Sequence, residues 1–301
     1  MESLDLVHDG VRAKSYRVNG RWLAKRYAER TIFSDQEIAS YRLLTGSSIV
    51  PSLVAADPET PLLITDYVDG VGLFAAPDRL DELGELMASL ITTTSTIDDD
   101  PRIRVHEAEK LRRSYPSIMA FTRSFDVELS PSIEAVLEHY LSPPVLALTQ
   151  GDPAPSNVMF LEDRALLVDF EYAAVRHALF DLAQWYVRCP LPLPCQSRLQ
   201  HPVREVYPGE FERDLALMQV YAGLYMLSWL PLGGVKENNR PWVDEWTVRE
   251  ALISTAKRSA DAAKRAELDE IQAWLESLEE KCRLVWPTLG DGSIKGFAEP
   301  H

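Results

Sequence analysis

The chain has 301 residues, of which 46% are hydrophobic and 26% are charged, and its formal net charge is −15. This composition is typical of a globular protein with one large domain or two lobes. The acidic charge disfavours binding to nucleic acid or to anionic lipid, so we expect neither as a partner.

The apolar runs of the sequence are too short to span a membrane, and the first residues do not have the pattern of a secretory signal. The three cysteines lack the spacing of a metal site, and such a sparse, odd set favours a reducing compartment. We therefore expect a cytoplasmic protein with no membrane partner. A disulfide between Cys189 and Cys195 is the less favoured alternative.

Three segments before residue 70 have clear patterns: strands over 5–28, a helix over 33–46 and two strands over 48–70. Asn19-Gly20 lies between two strand-like runs and predicts a tight hairpin turn. Ser34 is the expected N-cap of the helix, and Gly46 is expected to end it. The first third of the chain thus predicts a small β-rich unit with one helix.

After residue 78 the apolar spacing becomes mainly helical. Helices are predicted over 78–96, 104–125, 131–141, 179–188, 210–230 and 243–286, the last of them continuous or broken. Strands over 145–148, 158–161 and 165–168 predict a short β patch, and the Pro-rich stretch 190–209 predicts a loop. We therefore predict an α+β fold in two lobes, 1–70 and 71–301, with a ligand cleft between them.

Polar residues gather around the loop TQGDPAPSN, which separates two of the short strands. Asp152 and Asn157 lie in this loop, Asp169 and Glu171 follow the next strands, and Asp181 comes ten residues later. Carboxylate and amide oxygens are hard ligands that suit Mg²⁺, which also keeps positions open for phosphate oxygens. The alternative is a set of turn-forming and capping residues, which the joint spacing disfavours.

The run QGDPAPSN…VDFEYA…FDLA resembles the aminoglycoside phosphotransferase and choline kinase superfamily, and DFEYA followed by FDLA resembles its choline/ethanolamine kinase side. D-x-x-x-x-N with an aspartate after a later apolar strand is the kinase-like arrangement. The resemblance runs over roughly residues 5–190. It implies a two-lobed protein-kinase-like fold, ATP or GTP as co-substrate, Mg²⁺ as cofactor, and phosphoryl transfer to a hydroxyl of a small acceptor.

In the N-lobe the resemblance implies a nucleotide site. Lys25 would hold the α- and β-phosphates, and Glu37 would fix Lys25, although Glu37 also completes a capping box with the predicted N-cap. The carbonyl of Asp66 and the N–H of Val68 would contact the base at the hinge. Ser15 would reach a phosphate, with a plain hairpin role as the alternative.

In the C-lobe the resemblance implies the catalytic and metal-binding groups. Asp152 would accept the proton of the acceptor hydroxyl or orient that hydroxyl, and Asn157 and Asp169 would hold Mg²⁺. Glu171 would hold a second Mg²⁺ or support the first. Asp181 would accept backbone hydrogen bonds from the catalytic loop.

Two features depart from the family pattern. Gln150 stands where the family usually has histidine, and because glutamine donates and accepts hydrogen bonds we expect it to support the loop. HDGVRAKSYRV has Gly10 alone in place of a Gly-rich loop, which disfavours a protein kinase. Pro153 and Pro155 restrict the loop and hold Asp152 in place.

The acceptor is the least defined partner. Aromatic and acidic residues of the helical lobe suit a cation, since aromatic faces bind quaternary ammonium. The candidates are Trp185 and Tyr186, followed by Glu210, Tyr221, Tyr225 and Trp229, with helix core as the alternative for most of them. A choline-like and an aminoglycoside-like acceptor are equally compatible, and a non-catalytic binding module or a protein kinase are the competing functions.

Overall fold

The computed structural model describes residues 3–97, 101–189, 191–236, 239–241 and 247–289. The N-terminal part contains strands β1 (Leu4–Asp9), β2 (Ala13–Val18), β3 (Trp22–Tyr27), β4 (Leu53–Asp57) and β5 (Leu62–Asp66), with helix α1 (Ile32–Leu43) between β3 and β4. The strands form one antiparallel sheet in the order β1-β2-β3-β5-β4. The predicted hairpin turn is present, and Asn19 and Gly20 have φ values of 51° and 68°, as tight hairpins require.

Helix α1 begins earlier than the sequence indicated. Its N-cap is Thr31, whose hydroxyl accepts a hydrogen bond from the N–H of Ser34 at 3.4 Å, while the Ser34 hydroxyl accepts one from the N–H of Thr31 at 2.9 Å. The prediction of Ser34 as N-cap was therefore wrong. Ser34 takes the third helical position of the capping box, which leaves Glu37 free for other contacts.

Two backbone links join the sheet to the rest of the protein. Val71 and Phe160 exchange backbone hydrogen bonds of 3.0 and 2.8 Å, just beyond the end of β5. The N–H of Leu167 donates to the carbonyl of Ile49 at 2.8 Å, just before β4 begins. These links place the sheet directly over the short strands of the C-terminal part.

Helices dominate the remaining described residues. They are α2 (Leu80–Thr94), α3 (Arg102–Arg123), α4 (Glu134–Leu141), α5 (Phe180–Arg188), α6 (Leu193–Val206), α7 (Phe211–Trp229), α8 (Val248–Arg265) and α9 (Asp269–Val285). The predicted stretch 243–286 is broken between α8 and α9, where Glu267 has a φ of 56°; its residues 243–246 lie outside the described residues. None of the described helices is long and apolar enough to cross a membrane.

Helix α6 corrects the prediction of a loop over 190–209. Pro194 lies in its first turn, where a missing N–H costs no hydrogen bond, so the prolines do not prevent a helix from starting. The helix packs on α2, and a Cβ added to Gly84 would lie 2.7 Å from the carbonyl oxygen of Leu199. The close approach therefore depends on glycine at position 84.

The short strands also differ from the predicted single patch. The strands β6 (Leu146–Thr149), β7 (Val158–Phe160), β8 (Ala165–Leu167) and β9 (Ala174–His177) form two antiparallel pairs, β6 with β9 and β7 with β8. Strand β9 was not predicted, because four residues that include arginine and histidine carry too weak a strand pattern. The cysteines are free and buried, so the disulfide between Cys189 and Cys195 is absent.

Candidate active site

A cleft of about 580 Å³ lies between the sheet and the β7–β8 hairpin. Eight residues singled out in the sequence line it: Ser15, Lys25, Glu37, Asp66, Val68, Asn157, Asp169 and Glu171. The structure thus brings together groups that come from both ends of a stretch of more than 150 residues.

Lys25 lies at the centre of the polar groups. It is on β3, opposite Ser15 of β2, and its Nζ is 2.9 Å from Glu37 Oε2 and 2.6 Å from Asp169 Oδ1. Burial by itself would lower the pKa of Lys25, but the attraction of the Glu37 and Asp169 carboxylates outweighs it and raises that pKa. Lys25 therefore remains charged, and it links β3, α1 and the loop after β8.

Glu37 is 1% exposed and has three contacts rather than a capping role. Besides Lys25, it accepts a short hydrogen bond from the Tyr27 hydroxyl and a 3.3 Å hydrogen bond from the N–H of Phe170. Buried carboxylates need such partners to offset the loss of water. Glu37 thus fixes Lys25 and ties α1 to the segment that follows Asp169.

Asp169 has a φ of 63°, in the left-handed region that only a few non-glycine residues adopt. Aspartate tolerates this region better than most side chains, but the conformation still costs energy that the surroundings must offset. Two contacts offset this conformational energy. Lys25 pairs with the Asp169 carboxylate, and Gln150 Nε2 donates to the carbonyl of Asp169 at 3.1 Å.

Gln150 and Asp181 support the loop from below. Gln150 is 2% exposed, and its Nε2 also donates to the carbonyl of Val168 at 2.8 Å. The Asp181 carboxylate accepts the backbone N–H groups of Gln150 at 2.6 Å and Gly151 at 3.0 Å. Burial raises the pKa of Asp181 to about 6, even though both hydrogen bonds act to lower it.

Gly151 is required by the close packing of the loop. It has a φ of 84°, and a Cβ there would lie 2.1 Å from the carbonyl oxygen of Tyr172. Arg176, 3% exposed on β9, donates to that same carbonyl and to the Thr149 hydroxyl, and it forms an ion pair with Glu107 at 2.7 Å. Sequence reasoning missed Arg176 because its partner Glu107 is 69 residues away.

Asp152 has an unexpected partner, Arg188, whose Nη1 lies 2.6 Å from Asp152 Oδ1. Arg188 follows Asp181 by seven residues on α5, so the two side chains lie on one face of the helix two turns apart. That spacing is a signal that the sequence already contained. One helix face therefore supports the backbone at Gln150 and Gly151 and contacts the carboxylate of Asp152.

The carbonyl of Asp152 accepts a hydrogen bond from Asn157 Nδ2 at 2.9 Å. Asn157 Oδ1 accepts a 3.3 Å hydrogen bond from the Ser156 hydroxyl and keeps a second lone pair, and both Asn157 and Asp169 line the cleft. Asn157 is held by a short 3₁₀ turn that begins at Pro155. The fixed φ of proline favours this turn, as expected for a rigid loop.

Glu171 is held by Arg12, which sequence reasoning missed. Arg12 Nη1 is 2.8 Å from Glu171 Oε1, and its guanidinium lies over the rings of Phe33 and Tyr172, at 4.1 and 5.2 Å from their centroids. Burial and the nearby charge of Asp169 raise the pKa of Glu171 above its ordinary value, against the attraction of the neighbouring cations.

The donor set fits a magnesium ion held mainly by substrate. In the part of the chain that the structure describes, no three His, Cys, Asp or Glu side chains are placed to hold a metal by themselves. Mg²⁺ in phosphoryl-transfer sites takes one or two protein oxygens and fills the remaining positions with phosphate and water. Asn157 Oδ1 and the Asp169 carboxylate are donors of this kind.

Trp185 and Tyr186, the acceptor candidates of the sequence, lie inside the helical part of the protein rather than at this cleft. They are 2% and 6% exposed within α5, and neither lines the cleft. The Tyr186 ring is covered by the guanidinium groups of Arg258 and Arg265, 5.1 and 5.4 Å from its centroid. Both aromatic residues belong to the packing between α5 and the helices around it.

An antiparallel sheet with one helix, joined to a helical part that carries the loop of Asp152 and Asn157, defines a kinase-like fold. Residues 4–224 match the sequence profile of the Phosphotransferase enzyme family, and the chain belongs to this family. A comparison of the sequence with curated proteins gave no match.

Solved structures agree on the fold. A choline/ethanolamine kinase family protein from Mesorhizobium loti has 17% identity and a TM-score of 0.59, over 92% of each chain. The ADP-bound aminoglycoside phosphotransferase APH(2'')-Ib has 14% identity and a TM-score of 0.52, over 93% of this chain and 94% of that one. The GDP complex of aminoglycoside 2'-phosphotransferase-IIIa has 16% identity and a TM-score of 0.53, over 94% and 93%. The predicted α+β, protein-kinase-like fold is confirmed.

Proposed function

We propose that this protein is a small-molecule kinase that transfers the γ-phosphoryl group of a magnesium-bound nucleoside triphosphate to an acceptor hydroxyl. The observation that carries the proposal is the position of Lys25 Nζ, 2.9 Å from Glu37 and 2.6 Å from Asp169, in a cleft next to the loop of Asp152. A buried lysine held between two carboxylates is the arrangement that orients the phosphates in kinase-like proteins.

Residues 1–70 would bind the nucleotide. Asp66 and Val68 line the cleft at the end of β5, where the carbonyl of Asp66 and the N–H of Val68 would contact the base. Lys25 would bind the α- and β-phosphates. Ser15 lies opposite Lys25 on the neighbouring strand, at the cleft, so its hydroxyl would donate to a phosphate oxygen.

Residues 71–301 would provide the metal ligands and the acceptor site. Asn157 and Asp169 would hold Mg²⁺, which when bound neutralises charge on the phosphate oxygens. Glu171 would support that site through its position beside Asp169, because Arg12 already engages one of its oxygens.

In the transfer itself, the acceptor oxygen forms a bond to the γ-phosphorus, and the bond from that phosphorus to the bridging oxygen breaks. The proton of the acceptor hydroxyl passes to the Asp152 carboxylate, and the nucleoside diphosphate leaves. Gln150 and Asp181 keep the loop rigid, so Asp152 needs little reorganisation when substrate binds.

The test compares Asp152→Asn with Asp163→Asn, a carboxylate change in the exposed turn between β7 and β8. Release of ADP or GDP is measured with ATP or GTP, with and without Mg²⁺, against a panel of small alcohols. We expect Asp152→Asn to reduce transfer by about 100-fold or more, the range for a lost general base, with nucleotide-dependent thermal stabilisation retained.

The control variant should keep the activity of the unchanged protein. Comparable turnover in Asp152→Asn would rule out the role of Asp152. Nucleotide binding without consumption of nucleotide by any alcohol would instead favour the non-catalytic binding module.

A further inference from the structure

We propose that the acceptor alcohol carries an anionic group, a carboxylate or a phosphate, near the hydroxyl that is phosphorylated, and that Arg188 binds this group. The inference rests on the proposed function and names the substrate class of the same site. It departs from the cationic acceptor that the aromatic residues of the sequence suggested.

The first observation is the position of Arg188. Its Nη1 donates to Asp152 Oδ1 at 2.6 Å, and its side chain is 28% exposed. Among the described residues, Asp152 is its one hydrogen-bond partner, so Nε and Nη2 remain available as donors. Neither Asp152 nor Arg188 is among the residues that line the cleft of Lys25. Because the guanidinium lies at hydrogen-bond distance from the carboxylate that would receive the acceptor's proton, an anionic group close to that hydroxyl would lie within its reach.

The charge of Arg188 selects between acceptor classes. A guanidinium matches the geometry of a carboxylate or phosphate and binds either through two parallel hydrogen bonds. An ammonium group that approached Asp152 would meet a like charge at hydrogen-bond distance from the same carboxylate. Like charges placed together suppress binding, so Arg188 acts against amino alcohols as well as for anions.

The second observation concerns the aromatic faces that could have formed a cage for a quaternary ammonium. Lys110 Nζ lies 3.3 Å from the ring centroid of Trp229 and therefore already covers that face. The Tyr186 ring is covered by two arginines, and Trp185 and Tyr221 are 2% and 0% exposed. Of these four rings, two thus already have one of the protein's own cations against them and two are buried, so they do not form a cage that is open to a quaternary ammonium.

The acidic candidate gives no support for a cationic acceptor either. Glu210 is largely exposed and pairs with Arg213 at 3.5 Å, at the start of α7. Although the whole chain has a charge of −15, the side chain that contacts Asp152 is basic. A guanidinium at that point attracts an anionic acceptor and repels a cationic one.

A purely structural role for Arg188 makes different predictions. Arg188 is in the last turn of α5, where a cation interacts favourably with the helix dipole, and its ion pair could do no more than orient Asp152. In that case its loss would reduce turnover equally for every acceptor. An acceptor-binding role would change the KM of anionic acceptors and leave other acceptors nearly unchanged.

The experiment measures kcat and KM with three acceptor classes and the preferred nucleotide. The anionic acceptors are two carboxylates, glycerate and gluconate, and one phosphate, glycerol 3-phosphate. Glycerol and glucose form the neutral class, and choline, ethanolamine and kanamycin form the cationic class. We expect anionic acceptors to have the highest kcat/KM. Whether the carboxylates or the phosphate has the higher value shows which of these two groups Arg188 binds.

In Arg188→Ala, kcat/KM for the anionic acceptor should fall by about 10- to 100-fold, mainly through KM, as expected for lost hydrogen bonds to a charged group. Arg188→Lys should restore part of the loss, since lysine keeps the charge without the paired donors. Arg198→Ala, which removes an exposed arginine paired with Asp81, is the matched control and should leave all values unchanged. The KM for nucleotide should not change in any of the three variants.

Preferential phosphorylation of cationic alcohols by the unchanged protein would overturn this inference and leave the proposed kinase intact. An equal loss of kcat across all classes in Arg188→Ala would also overturn it. Failure of all three classes to consume nucleotide would overturn both this inference and the proposed function.

Discussion

Replacing Gly151 by alanine tests whether the catalytic loop is packed as tightly as the structure shows. The new Cβ would lie 2.1 Å from the carbonyl oxygen of Tyr172 and 2.8 Å from Arg176 Nη1, far inside ordinary contact distance. The backbone of the loop or of Tyr172 must therefore move by about 1 Å. The Asp152 carboxylate is one residue away and would move with it.

The cost has two parts. Alanine at a φ of 84° costs about 1–2 kcal/mol, and overpacking costs about 1–3 kcal/mol more. We expect the free energy of unfolding to fall by about 2–5 kcal/mol in total. A displacement of about 1 Å in a positioned group lowers turnover by about 100-fold, so phosphoryl transfer should fall by that order.

Gly46→Ala is the matched control, because Gly46 has a φ of 83° but no neighbouring atom within 4 Å of its would-be Cβ. Its free energy of unfolding should fall only by the cost of alanine in the left-handed conformation, about 1–2 kcal/mol, and its turnover should not change. Both variants are compared by urea denaturation and by nucleotide turnover. If Gly151→Ala loses no more stability than Gly46→Ala and its turnover is unchanged, the loop is not packed against Tyr172 as the structure shows.

Three further predictions concern the groups that support the loop. Folding raises the pKa of the Asp181 carboxyl from 3.8 to about 6, so the folded state binds the carboxyl proton more tightly than the unfolded state does. The protonated carboxyl therefore adds to the free energy of unfolding below about pH 4, and this contribution is lost as the pH rises through 6. The free energy of unfolding of the unchanged protein, relative to Asp181→Asn, should therefore fall by about 2 kcal/mol between pH 4 and 7. A flat difference would contradict the burial of this carboxyl. Gln150→Glu would replace the donor to two carbonyls by a buried carboxylate, so it should destabilise by at least about 1–3 kcal/mol at pH 8, measured by urea denaturation. Gln150→His retains a ring N–H donor and should keep both stability and turnover, whereas turnover raised by orders of magnitude would argue against a support role.

The polar residues that line the cleft could be singled out from the sequence, because they lie in short segments with strong patterns. Lys25 is in an apolar strand after a hairpin, and Asp169 follows another apolar strand. The contact between Arg188 and Asp152 was not predicted: the seven-residue spacing of Arg188 from Asp181 is visible in the sequence, but the partner Asp152 is 36 residues away. Trp185 is buried in α5, and the sequence alone could not show this, because an aromatic residue has the same pattern in a core helix as in a binding site.

The fold errors have similar physical causes. The prolines of 190–209 favoured a loop, yet proline in the first turn is compatible with a helix, and packing against α2 stabilises α6. Strand β9 depends on pairing with β6, which precedes it by some 25 residues, so its four residues have no independent strand signal. In both cases tertiary contacts overrode local preference.

The two backbone links between the sheet and the C-terminal part end on one hairpin, at Phe160 of β7 and Leu167 of β8. A line through these two links is the natural axis for any rotation of the sheet against the helices. Asn157 and Asp169 flank the same hairpin, whereas β1 is the edge strand at the opposite side of the sheet from β4. Opening the cleft would therefore move β1 more than Asn157 and Asp169, the proposed magnesium ligands. Substrates could then enter and leave without dismantling the groups that position the phosphates.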